Sequence, residues 1–113
     1  MGEIRLKKVK SLLREEISSM ISKKELKDPR IDPLSRISDI SLSKDLKYAV
    51  VYISFFGAQA ICDLTVEALN HSAGFIQGTL GRRLHLRAIP RLTFKSDRSI
   101  ERGFEMNELL KGL

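Results

Sequence analysis

The chain has no tryptophan, one cysteine, two histidines and three prolines, and each scarcity removes a class of protein. Cys62 alone cannot form an internal disulfide, and no Cys or His stands at metal-ligand spacing from it. His71 and His85 lie outside any cluster of carboxylates or cysteines. No P-loop, GxSxG or HExxH pattern occurs, so no phosphate-gripping loop, nucleophile elbow or zinc helix can be read. The inventory predicts no catalytic residues, no metal and no cofactor. No apolar run approaches the roughly 20 residues of a membrane span. The opening MGEIRLKKVK lacks the apolar stretch and cleavage site of a secretory signal. Met1-Gly2 is not followed by the Ser or Thr of a myristoylation motif. These absences predict a cytoplasmic protein without membrane attachment.

What the chain does have is positive charge, unevenly placed. Its 113 residues suit one domain, 1–113, with one core. Of the formal net charge of +6, a net +5 falls between Phe75 and Arg98, where six basic residues face one acidic residue, Asp97. A merely soluble surface would intersperse both signs. Charge gathered in this way is the electrostatic footprint of a polyanion partner.

Hydrophobic spacing predicts the order α-β-β-α-α-β-α, an α+β domain. Leu6, Val9, Leu13, Ile17, Met20 and Ile21 make one helical stripe over residues 3–24. Pro29 and Pro33 then break the helix. Residues 35–43 and 46–56 read as strands close enough to pair as a hairpin. In the second, Ala49, Val51, Ile53 and Phe55 form the expected core face, with Tyr48, Val50, Tyr52 and Ser54 opposite. Helical spacing returns from Gln59 to about Leu86, interrupted at Ser72-Ala73-Gly74. Its expected buried stripes are Ile61, Leu64, Ala68 and Leu69, then Ile76, Leu80 and Leu84. Residues 91–97 give a third strand with Leu92 and Phe94 inward. A last helix near 99–111 would bury Ile100, Phe104 and Leu109 or Leu110.

Two adjacent helices between the second and third strands is the arrangement of type II KH domains, a three-stranded sheet packed with helices. Such domains bind single-stranded RNA at a glycine-rich helix junction. Here the junction is Ser72-Ala73-Gly74 rather than GXXG. Five stretches, taken in order, carry a closer resemblance: KELKDPRI (24–31), SLSKDLKYAVVYISF (41–55), ALNHSAGFIQGTLGRRLHLRAIPRLTF (68–94), DRSI (97–100) and NELL (107–110). Over nearly its whole length the chain resembles the ribosome-binding factor A family. That family replaces the GXXG loop with a helix-kink-helix, usually Ala-x-Gly, where this chain carries Ser72 in place of Ala. A serine can cap the helix that follows, and Gly74 is expected to be where the chain turns.

Gly74, Gly78 and Gly81 share one helix face at about 100° per residue, with His85 continuing it and Arg82 at its border. Three helical glycines cost about 2 to 3 kcal/mol in propensity. Either an RNA backbone approaches a bare surface there, or another element of the protein packs closely; both use glycine. Around that face stand Arg82, Arg83, His85 and Arg87. Tyr48 and Tyr52 can stack on bases beside Arg91 and Lys95, or simply cover the open sheet face. Lys7, Lys8 and Lys10 widen the basic surface or are a solvated helix face. Asp28-Pro29-Arg30 fixes a turn, with Arg30 pairing locally or reaching rRNA. Asp97 is expected to cap the last helix.

The resemblance implies a monomeric, non-enzymatic assembly factor that binds the free 30S ribosomal subunit. It further implies a role in late 16S rRNA maturation, including processing near the 5′-terminal helix, that matters most in the cold. An assembly GTPase is an implied further partner. Two other readings stay open: a general single-strand RNA binder of KH type, and a protein-interaction adaptor in ribosome assembly.

Overall fold

The structure, a computed structural model, describes residues 2–97. The helix expected near 99–111, with DRSI and NELL, lies essentially outside them, as does Arg98. Six elements follow in order: α1 (Gly2–Ser22), β1 (Arg36–Leu42), β2 (Tyr48–Ser54), α2 (Gln59–His71), α3 (Ala73–Arg83) and β3 (Arg91–Ser96). The sheet order is β1-β2-β3, with β1 antiparallel and β3 parallel to β2. The parallel pairing demands a crossover, which α2 and α3 supply. No helix among the described residues is long and apolar enough to cross a membrane.

All three helices cover the sheet face that carries Ala49, Val51, Ile53, Leu92 and Phe94. From α1 the core takes Val9, Leu13, Ile17, Met20 and Ile21, the expected stripe without its first member, Leu6, which is half-buried. Each fully buried Leu, Ile or Phe contributes about 1.5–3 kcal/mol. β1 adds Ile37 and Ile40. Residues three apart would face opposite sides of a regular strand. A bulge between Ile37 and Asp39 turns both inward.

In α2 the buried face differs from the expected one. Cys62, Thr65, Ala68 and Leu69 are buried, while Ile61 and Leu64 remain exposed. The reason is a hydrogen-bonded polar residue. The Thr65 hydroxyl donates to the Arg30 carbonyl at 3.1 Å and accepts the Asp32 N–H at 3.2 Å. It ties the DPR turn to α2, so burying Thr65 leaves no polar group unpaired.

Leu46, in the β1–β2 turn, has φ 61, a conformation that L-residues other than Asn or Asp seldom take. The Asp45 carboxylate holds that turn, accepting from the Ser43 hydroxyl at 2.7 Å and the Lys47 N–H at 3.1 Å. These bonds pull the Asp45 carboxyl below its ordinary pKa, the Ser43 bond most. Leu46 itself packs against the core cluster, which offsets its backbone strain.

Candidate nucleic-acid interface

The α2–α3 break falls at Ser72, with φ −91 and ψ 3, and not at Gly74. Gly74 lies inside α3, and no glycine among the described residues has positive φ. Ser72 makes no side-chain cap bond. Its N–H instead bifurcates onto the Ala68 and Leu69 carbonyls at 3.0 and 3.1 Å, and its carbonyl accepts the Ile76 N–H at 2.9 Å. The kink is therefore a change of ψ within a nearly continuous ladder. Both the expected serine cap and the expected glycine turn are corrected.

Glycine has another use here. A Cβ added at Gly74 would meet nothing within 4 Å, one at Gly78 only Arg82 Nη1 at 3.5 Å, and one at Gly81 only Ile89 Cγ1 at 3.9 Å. All three residues are exposed. Close packing would have placed neighbours nearer, so among the described residues nothing explains these glycines from inside the fold. The opposite face of α3 buries Ile76, Thr79 and Leu80.

The Arg82 side chain lies back along this helix, Nη2 donating to Thr79 Oγ1 at 3.1 Å, while the Thr79 hydroxyl donates to the Phe75 carbonyl at 3.0 Å. The remaining Arg82 N–H groups have no partner among the described residues. Arg83 is different. Its guanidinium pairs with Glu25 at 2.8 Å and Glu16 at 3.7 Å, joining the end of α3 to α1 and the turn after it. The Glu25 carboxylate chiefly, then Glu16, holds its pKa above the ordinary value.

α3 ends at Arg83, so His85 does not continue a helical face. Leu84 is extended, φ −105 and ψ 137. Alternation then turns Leu84 and Leu86 toward the core and exposes His85 and Arg87. Arg87 and Arg91 line a cleft with Arg5, Lys44 and Lys47. The last three went unnoticed in the sequence, because only the fold brings α1 and the β1–β2 turn to this loop.

Tyr48 and Tyr52 lie on the sheet face away from the helices, in register with Arg91 and Lys95 of β3. Tyr48 is 59 % exposed and Tyr52 half-buried. The two readings of this pair, base stacking or sheet cover, both fit that placement. Lys7 and Lys8 are exposed on α1 and Lys10 is half-buried.

Arg30 pairs locally. Its Nη2 meets Asp28 Oδ2 at 2.8 Å, its Nε and backbone N–H reach Asp28 Oδ1 at 3.1 and 3.0 Å, and Nη1 lies 3.4 Å from Glu67. The Arg30 side-chain bonds lead the causes that bring the Asp28 carboxyl down to about 2. Among the described residues no group of three or more His, Cys, Asp or Glu could hold a metal ion.

With this geometry in place, comparison with known proteins decides the family. The sequence profile of Ribosome-binding factor A matches residues 5–110. The chain belongs to the ribosome-binding factor A family. A member from Clostridium botulinum is 38 % identical over 113 residues, all of this chain and 93 % of that one. Another, from Caldanaerobacter subterraneus subsp. tengcongensis, is 45 % identical over 101 residues, covering 89 % of this chain and 82 % of its own. The crystal structure of ribosome-binding factor A from Thermus thermophilus matches with a TM-score of 0.67 at 28 % identity, over 80 % of this chain and 92 % of that one. A Thermus thermophilus ribosome-binding factor A homology model, fitted into a cryo-EM map of a 30S complex, matches with a TM-score of 0.55 at 27 % identity, over 77 % and 93 %. The KH-like element order read in the sequence agrees with these neighbours over the described elements.

Proposed function

We propose that this chain is a non-enzymatic ribosome assembly factor, a single monomeric domain of the cytoplasm that binds the free 30S subunit through 16S rRNA. The observation that carries the reading is the glycine face of α3, where among the described residues a Cβ at any of three neighbouring positions meets at most one ordinary contact, beside Arg82, whose guanidinium has no carboxylate partner among those residues. Glycine in a helix is unfavourable by about 1 kcal/mol per residue relative to alanine. Here the compensation comes from outside, as an RNA backbone laid against the bare helix. The Thermus homologue fitted into a 30S map supports the same partner.

Gly74, Gly78 and Gly81 supply close approach, Arg82 and Arg87 neutralise phosphate, and His85 offers a ring N–H to a phosphate oxygen. Arg83 and Arg30 act as positioning residues, the first fixing α3 against α1 and the second fixing the DPR turn. Such contacts position the protein without reading base sequence. The factor then favours one rRNA conformation by binding it better than its alternative. Assistance to late 5′-end maturation and a greater need in the cold follow from that role, since misfolded RNA escapes slowly at low temperature. Trimming of the RNA belongs to a separate nuclease, and an assembly GTPase is a further expected partner.

Gradient sedimentation tests this reading. Comigration with free small subunits, and not with large subunits or polysomes, is the expected result. Equal distribution over all RNA would indicate a general single-strand binder. Comigration that survives high salt and disruption of the α3 face would indicate a protein adaptor.

A further inference from the structure

The cleft between the β1–β2 turn and the α3–β3 loop has a volume of about 610 Å³, within the range of roughly 300–1,000 Å³ that holds small organic ligands. It combines two chemistries, where a polyanion groove needs only one. Five cations line it, Arg5, Lys44, Lys47, Arg87 and Arg91, with Asp45 the one carboxylate among its described residues. Its floor is apolar, made by Leu6, Leu46, Leu86 and Ile89, each half-buried. The Asp45 carboxylate accepts from Ser43 and Lys47 of its own turn, and five cations against this one carboxylate leave the lining strongly positive.

A third feature is a directed polar group. Gln77 also lines the cleft, and its Oε1 accepts the Leu92 N–H at 3.0 Å. That bond fixes which way the amide is turned and leaves its NH₂ as a donor. A cationic rim, an apolar floor and one fixed donor match the three parts of a nucleotide: phosphate, base faces and an acceptor on the base edge. Bases splayed out of single-stranded segments are recognised by such combinations. An acidic peptide would use the cations and leave the floor empty.

We propose that this cleft receives one extruded nucleotide of the bound RNA, its base over Leu46, Leu86 and Ile89 and its phosphate among Lys44, Lys47 and Arg87. The proposal rests on the RNA-binding reading and adds to it a second contact. Ile89 Cγ1, the nearest atom to a Cβ at Gly81, belongs to the loop that walls the cleft, so one strand can run from the glycine face into it. Leu46, half-buried, packs against the core cluster and also lines the cleft.

The experiment is methyl NMR of the intact chain titrated with each nucleoside 5′-monophosphate, with ribose 5-phosphate and with pentaglutamate. Saturable shifts of Leu46, Leu86 and Ile89 methyls with at least one nucleotide, and not with ribose 5-phosphate or pentaglutamate, are expected. The Ala73 and Ile76 methyls should stay still, and Lys44→Glu/Lys47→Glu should weaken the nucleotide response at least tenfold. Equal shifts with ribose 5-phosphate would reduce the cleft to an electrostatic surface and overturn the proposal. So would shifts with pentaglutamate alone, which point to a protein partner, or no shifts at all. If small-subunit comigration persists while the nucleotides have no effect, only this inference falls; if comigration itself is absent, the RNA-binding reading falls.

Discussion

The Asn70 side chain holds the Phe94 backbone by two hydrogen bonds, Nδ2 donating to the carbonyl at 2.9 Å and Oδ1 accepting the N–H at 2.8 Å. Farther along the crossover, Gln77 accepts the Leu92 N–H. β3 lies at the edge of the sheet, and an uncovered strand edge offers its polar groups to any passing strand. Two amide side chains from the crossover helices close it. The same contacts hold α2 and α3 over the sheet and so set the angle at which the glycine face is presented.

Asn70→Ala should therefore destabilise the domain, by about 1–3 kcal/mol for each buried polar group left unpaired. Asn70→Asp keeps the acceptor but sets a carboxylate oxygen against the Phe94 carbonyl, so at neutral pH it too should fall below wild type. Urea midpoints at constant m-value give the comparison, and equal midpoints for all three proteins would mean that water replaces the amide without loss.

Asp28 makes acid stability testable. Its carboxyl is lowered from 3.8 to about 2, first by the Arg30 side-chain bonds and then by the Arg30 backbone N–H. A depressed folded-state value means the ionised form is favoured by folding. That contribution is complete above the unfolded value of 3.8 and is lost as pH falls through about 2. Wild type should lose stability across that window, whereas Asp28→Asn should show a flatter profile there. Carboxyl NMR titration of Arg30→Ala should find the Asp28 midpoint moved back up toward 3.8.

The two adjacent arginines of α3 should behave differently. Arg83 is committed to Glu25 and Glu16, whereas among the described residues Arg82 bonds Thr79 alone. Each phosphate contact removed should reduce the log–log salt slope of small-subunit binding by about 1. Arg82→Ala and Arg87→Ala should each show that loss. Arg83→Ala should leave the slope nearly unchanged and cost little stability, because solvent screens a partly exposed ion pair. Affinity measured from about 50 to 200 mM salt separates the three.

Much of this architecture was legible because it is periodic. The α1 stripe, the hairpin, the inward Ala49-Val51-Ile53 set and the Leu92-Phe94 pair follow from spacing alone. The α2 face was misread because Thr65 breaks its apolar pattern; its burial depends on bonds to Arg30 and Asp32, 35 and 33 residues away in sequence. Ile37 was missed because a bulge changes the phase of β1, which no local count reveals. At the candidate interface, the glycine spacing was visible but its meaning was open. Among the described residues, the scarcity of neighbours around the three positions favours a bare surface over a packed one. Arg83 read as a free cation because Glu25 and Glu16 are remote in sequence. Arg5, Lys44 and Lys47 went unremarked because three separate segments must fold together before they face one cleft.

If an RNA partner, and not the fold, requires the glycines of α3, stability and binding must separate when they are replaced. The most direct measurement compares unfolding free energy and small-subunit affinity for wild type and Gly78→Gln/Gly81→Gln. Glutamine changes no charge and is a better helix former than glycine, and among the described residues a Cβ at either position meets one ordinary van der Waals contact, Arg82 Nη1 at 3.5 Å or Ile89 Cγ1 at 3.9 Å. The expected variant is as stable as wild type or more so, by up to about 1 kcal/mol from propensity, and binds free small subunits at least tenfold more weakly. Undiminished binding by the folded variant would mean that no RNA partner needs the bare helix face.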